Sequence, residues 1–135
     1  MTLRAGQRAL GLGIWIWVAA LFLAPSVLMP VGALICHQRP GRSFFVDGRQ
    51  VPVCARCTGL YAGAALAVPL ALIGASSITS NRARTIALVA SLPTAITWSL
   101  EFAGVAQFSN AIRFAAALPL GAAAAWLVLG VLTED

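Results

Sequence analysis

The sequence predicts an all-α membrane protein: four transmembrane helices, with a short β-hairpin of metal-ribbon-like layout between the first and second. Three observations predict it. Of 135 residues, 60% are hydrophobic and 10% charged, with a mean hydropathy of +0.89; soluble domains are about half apolar and a quarter charged. Four apolar stretches are each long enough for a bilayer core, which takes roughly 20 helical residues. Most of the polar residues gather in one loop, about 36–57, framed by Cys and His.

So few charged groups could not cover a water-soluble globule, which argues against a soluble enzyme domain, a disordered tail or a nucleic-acid-binding module. All nine basic residues are Arg, against four acids, for a net charge of +5. That excess belongs to a membrane protein, with the lipid bilayer as its surroundings and no nucleic acid as partner. The length fits a single integral membrane domain, 1–135.

The first span covers about 10–31, after Arg4 and Arg8. Its apolar run continues to Ile35, too long for the core of a cleaved signal peptide, so it reads as an uncleaved span. The loop follows. Asp47-Gly48 is a two-residue hairpin turn signal, flanked by β-formers at 43–46 and 49–53, with Pro52 at an edge position. Two strands alone are marginal in water, so something must pin their ends. The second span covers about 58–78, followed by a turn at 79–84. The third covers about 85–104, and the fourth about 111–132, ahead of Glu134 and Asp135. Prolines lie in every span (Pro25 and Pro30, Pro69, Pro93, Pro119); lipid-embedded helices tolerate them, with kinks. Gly59, Gly63 and Ala67, then Gly121 and Ala125, recur at four-residue spacing and predict close helix packing within the bundle.

The candidate pins are Cys36 and His37 before the hairpin, and Cys54 and Cys57 after it. Three Cys and one His match a tetrahedral zinc set, and zinc there would contribute directly to folding. Adjacent side chains diverge in a helix or a strand, so Cys36 and His37 share one metal only if the backbone bends sharply. Otherwise the ligands are Cys36, Cys54 and Cys57 with a carboxylate or water, and His37 faces the site or a substrate. Redox thiols and separately packed thiols are the competing readings. The C-x-x-C lacks a following His, which disfavours covalent haem.

A second group lies on the same membrane side. Glu101 is near the end of the third span and Arg113 just inside the fourth. Ionisable residues within spans are functional candidates by default; the structural alternative is an ion pair that fixes packing. His37, Glu101 and Arg113 are the catalytic candidates. Arg42, Arg56 and Arg113, supported by Asn110, suit an anionic group such as a lipid phosphate. Ser109 and Asn110 read as the cap of the fourth helix. Five arginines (39, 42, 49, 56 and 113) lie on the loop side and four (4, 8, 82 and 84) opposite. If the loop arginines belong to the site, the others place both termini in the cytoplasm, in a prokaryotic cytoplasmic membrane. The cysteines are then outside, where thiols oxidise unless a metal protects them.

The string Cys36-His37-Gln38, Pro40, Arg42-Ser43, then Cys54-Ala55-Arg56-Cys57-Thr58-Gly59, Tyr61 and Gly63, resembles the signature of domain-of-unknown-function family 2085, small predicted membrane proteins of bacteria and archaea. Ser109-Asn110 and Arg113 are similar to its second motif, so the resemblance covers about 36–121. The chain departs where Thr97-Trp98 follow Pro93, in place of an acidic residue with Gly, and where alanines surround Ala116, in place of Thr-Gly. The resemblance implies a shared membrane-face site without naming a reaction.

Three functions follow as expectations. A zinc-binding membrane protein would be structural if four protein ligands close the site, and hydrolytic if a metal-bound water keeps one position. A membrane thiol-disulfide oxidoreductase would use the C-x-x-C; four helices with that motif at the start of a span resemble vitamin K epoxide reductase and related quinone-linked enzymes, which however need a second cysteine pair. A non-catalytic partner subunit or small transporter is the third, with no charge-lined path visible across the bilayer.

Overall fold

The computed structural model describes residues 2–74 and 79–131. The expected ends of the second and fourth spans at Ile78 and Leu132, the acidic pair Glu134 and Asp135, and the side chain of Arg4 lie outside the described residues. In chain order the elements are α1 (Thr2–Leu23), α2 (Pro25–Ala33), a 3-10 turn (Pro40–Arg42), β1 (Ser43–Val46), β2 (Arg49–Cys54), α3 (Ala55–Gly74), α4 (Ser80–Phe102) and α5 (Asn110–Val131). Four helical segments are long and apolar enough to cross a membrane: Ala5–Leu23, Ala55–Ile73, Ser80–Phe102 and Asn110–Gly130. The fold is thus mostly helical, with a two-stranded antiparallel sheet between the second and third helices.

The beginning of the chain differs from expectation. The apolar run read as one span over 10–31 is two helices. Pro25 biases the residue before it away from the helical region, and Ala24 sits at φ −132°, ψ 52°. Pro25 then opens α2 at a position where its missing N–H costs nothing. A hydropathy window cannot register such a break, because both sides are equally apolar. At nine residues α2 is too short to span. It lies against β2 instead, where a Cβ on Gly32 would collide with the Pro52 carbonyl. A second difference is at 79–84, read as a turn: α4 already begins at Ser80.

The other prolines do not end their helices: α3, α4 and α5 run through Pro69, Pro93 and Pro119. Hydroxyls serve the carbonyls nearby. Thr97 Oγ1 donates to the Pro93 carbonyl (2.8 Å), and Thr94 Oγ1 crosses from α4 to the Ala116 carbonyl (2.8 Å).

The centre of the bundle is the α3–α5 seam. A Cβ on Gly59 would meet the Phe114 carbonyl, one on Gly63 the Leu118 carbonyl, and one on Gly121 the Leu60 carbonyl. Backbone therefore lies on backbone, with buried Ala65, Ala67, Ala117 and Ala125 extending the contact. This is how small-residue stripes join helices where lipid tails remove the usual hydrophobic drive. α1 closes on the seam through Gly11, whose Cβ would come 2.6 Å from Val68 Cγ1. Buried Gln7 also donates to the Leu129 carbonyl (3.0 Å). α4 packs on α5 and is the least buried of the four candidate spans.

The hairpin turns at Asp47 and Gly48, both with positive φ (49° and 75°), as a primed two-residue turn requires. Val46 pairs with Arg49 and Phe45 with Gln50, but Ser43 pairs with Cys54, so the ladder is irregular between Ser43 and Phe45. Val51 and Val53 are fully buried with Leu21 of α1; Trp17, Cys36, Phe44, Cys57 and Tyr61 pack around them. The hairpin therefore seats on the end of the bundle.

Candidate metal centre

The local fold brings the cysteines to one point. Cys54 is the last residue of β2 and Cys57 lies in the first turn of α3, so the C-x-x-C forms the strand-to-helix corner. Thr58 Oγ1 braces that corner by donating to the Cys54 carbonyl (3.1 Å). Cys36 is held where the chain leaves α2, its N–H donating to the Gly32 carbonyl (2.9 Å). The Cys54 N–H then donates to Cys36 Sγ (3.2 Å), which ties the two ends of the loop. The three Sγ atoms all lie within 4.8 Å of one another, and the residues are half-buried. Sulfurs around a tetrahedral zinc are about 3.8 Å apart, so a small contraction would close the set.

Among the described residues His37 does not join this group. It is exposed. The sharp bend needed to turn Cys36 and His37 towards one ion comes one residue later, at Gln38, whose φ is +47°. Gln38 is a site residue that the reading of side-chain chemistry missed. Its amide donates to the carbonyls of Met29 (2.8 Å) and Pro52 (2.7 Å), fastening β2 to α2. Its own carbonyl accepts from Gln50 Nε2 (2.7 Å). Its place in the Cys-His-Gln string is the only signal that pointed to it.

The ionisable group is larger than the pair expected from sequence. Arg113 Nε donates to Glu101 Oε1 (2.8 Å), and Arg113 Nη2 lies 2.6 Å from the same oxygen. Arg56, inside the C-x-x-C, reaches Glu101 Oε2 from the other side (3.0 Å) and Thr97 Oγ1 (3.2 Å). The Phe108 N–H also donates to Glu101 Oε1 (3.3 Å). Arg113 Nη1 donates to Asn110 Oδ1 (2.8 Å) and the Gly41 carbonyl (3.5 Å), while Asn110 Nδ2 donates to the Ser43 carbonyl (3.0 Å). Glu101 and Arg113 are buried. One carboxylate thus joins α3, α4 and α5 at the level of the hairpin, and Arg113 turns its donors inward. Arg56 Nε is buried without a partner among the described residues, and Arg42 is only half-buried.

Glu101 reaches this position because α4 stops cleanly after it. Val105 N–H bonds to the Leu100 carbonyl and Gly104 N–H to the Glu101 carbonyl, with Gly104 at φ +72°, a Schellman termination. Ser109 caps α5 by accepting from the Ile112 N–H (3.3 Å). Asn110, expected to share that cap, is spent on the network instead.

Cys54 is electronically distinct. The Cys57 thiol hydrogen-bonds to its sulfur and, with Cys36 and the backbone N–H groups of Cys57 and Arg56, outweighs the opposing effect of burial; the Cys54 thiol is pulled from 9.0 down to about 5. The cluster therefore presents a thiolate at neutral pH, the form that binds metal and attacks disulfides.

A family described as predicted membrane proteins, DUF2085, matches residues 36–127, from the first cysteine to late α5. An uncharacterised protein of Methanothermobacter thermautotrophicus is 34% identical over 106 residues, covering 74% of this chain and 85% of that protein. An uncharacterised protein of Methanocaldococcus jannaschii is 30% identical over 108 residues, covering 79% of this chain and 69% of that one. No solved structure matches. With four apolar candidate spans and a family match running through the cysteine loop and the Glu101 network, the chain belongs to the DUF2085 family of predicted membrane proteins.

Proposed function

We propose that the chain is a single integral membrane domain that holds zinc at one membrane face on Cys36, Cys54 and Cys57, with the fourth position left to a non-protein ligand. The carrying observation is the convergence of the three Sγ atoms within 4.8 Å. Charge supports it independently. A divalent ion on three thiolates has one net negative charge. Two guanidiniums on one carboxylate have one net positive charge, and Arg56 places that positive group in the same C-x-x-C. In a low-dielectric surround such opposite charges offset each other's desolvation. On this reading Arg56 and Arg113 balance the centre rather than receive an anionic substrate. An open fourth position would let a bound water act hydrolytically; His37, at the rim, would act on what enters. The termini are cytoplasmic and the cysteine end faces outward, in a prokaryotic cytoplasmic membrane.

A second reading rests on the Cys54 thiolate beside the Cys57 thiol: a membrane thiol-disulfide oxidoreductase. Elemental analysis of protein purified in detergent separates the two. About one zinc per chain, lost in Cys54→Ser and kept in His37→Ala, supports the metal centre. No metal, together with a reducible Cys54–Cys57 disulfide, would favour redox.

A further inference from the structure

Between α1, α3 and α5 lies an apolar cavity of ≈ 620 Å³, open along much of its length as a groove, and within the size range of small-molecule sites. Its walls are small residues (Gly13, Ala64 and Ala124 among them) and aliphatic ones, and Trp17 and Tyr61 also line it. Those two aromatic residues line the cavity and also pack on the cluster that carries Cys36 and Cys57. Tyr61 lies one helical turn beyond Cys57 and so on the same face of α3. Tyr61, Trp17, Cys36 and Cys57 all pack on the Leu21, Val51 and Val53 cluster. The Trp17 and Tyr61 rings meet edge to face at 5.8 Å. The cavity thus has a purely apolar body within three candidate spans and an aromatic, phenol-bearing end beside the centre.

We infer that this cavity takes the tail of a single-chain membrane amphiphile whose uncharged oxygen head, an alcohol or carbonyl, reaches the centre past Tyr61 and fills the fourth zinc position; the head contact rests on the proposed metal centre. An apolar chamber selects a hydrocarbon tail. Charge among the buried groups selects the head: the zinc–thiolate and Arg–Glu charges offset each other, so a carboxylate or phosphate head would add a buried negative charge with no buried partner. Tyr61 supplies a hydroxyl that can donate to an alcohol or carbonyl oxygen.

Gly13 provides the test: it lines the cavity and a Cβ there meets nothing within 4 Å, so Gly13→Leu starts its side chain in open space within the cavity. Gly6→Leu, equally open in α1 and outside the cavity lining, is the control. The protein is placed in nanodiscs and titrated with a tail-brominated dodecanol, while Trp17 fluorescence is followed against a Trp17→Phe blank. Saturable quenching is expected, weakened about tenfold (about 1.4 kcal/mol) in Gly13→Leu and unchanged in Gly6→Leu. Quenching that ignores Gly13→Leu would overturn the chamber. In cobalt-substituted protein, dodecanol is expected to shift the ligand-field spectrum, whereas dodecane leaves it unchanged. A spectrum indifferent to dodecanol, or one shifted more strongly by dodecanoate, would overturn the assignment of the head. If cobalt does not bind at all, the metal centre fails, and the quenching titration still decides the chamber.

Discussion

The α3–α5 seam begins at Gly59, two residues beyond Cys57 at the hairpin end, yet the two regions are held by opposite means. The seam is backbone on backbone: Gly59, Gly63 and Gly121 let carbonyls of the facing helix approach to where any side chain would sit. The hairpin end is side chain on backbone: Gln38, Ser43, Gln50, Asn110 and Arg113 each bond a distant main-chain carbonyl or another polar side chain. Lipid offers no hydrogen-bond partners, so inside the bundle the helices satisfy their own backbone and need only shape. The loop has irregular backbone, and its polar groups must be satisfied one at a time. Packing of small residues fixes where the helices lie; the polar network fixes where the cysteines lie.

That contrast can be broken at either end. Gly63→Leu forces a branched side chain into the Leu118 carbonyl, and overpacking of this kind costs about 1–3 kcal/mol or more. The expected outcome is loss of folded protein on detergent gel filtration. Glu101→Gln removes the one carboxylate shared by Arg56 and Arg113. Leaving buried charges unpaired costs about 3–5 kcal/mol, read as a lower unfolding midpoint, with zinc bound more weakly because the Arg56 corner is released. Metal affinity that is untouched would separate the network from the centre. Gln38→Ala leaves the carbonyls of Met29 and Pro52 without their donor, a loss of about 1–3 kcal/mol; faster hydrogen exchange is expected in β2 and not in α3 or α5.

The smallest effect concerns pH. With its folded-state value lowered from 9.0 to about 5, Cys54 in metal-free protein stays a thiolate through neutral pH and protonates only as pH falls through about 5. Alkylation of Cys54 should therefore persist at pH 6, where an ordinary thiol is almost unreactive. A rate that drops away near pH 8 or 9 would contradict the hydrogen bond from Cys57.

Sequence and structure agree most closely where the signal is local. Asp47-Gly48 announced its turn, and the glycine spacing announced a tight helix pair. The cysteines announced their cluster through chemistry and spacing. The break at Ala24 stayed hidden because apolar residues continue on both sides of it, although Pro25 in the first turn of a helix was the available clue. For Arg56 the sequence shows its charge and not its reach; the fold sets it against Glu101, one helix away. Gln38 and Tyr61 stood in the quoted motif, but a non-Gly residue with positive φ and a phenol beside thiols have no periodic signature. His37, adjacent to Cys36, is exposed and stands outside the group of three cysteines.

X-ray absorption at the zinc edge of the purified protein tests the central claim most directly. The account predicts three sulfur ligands at about 2.3 Å and one nitrogen or oxygen at about 2.0 Å. Protein without zinc, or a shell lacking sulfur, would contradict it.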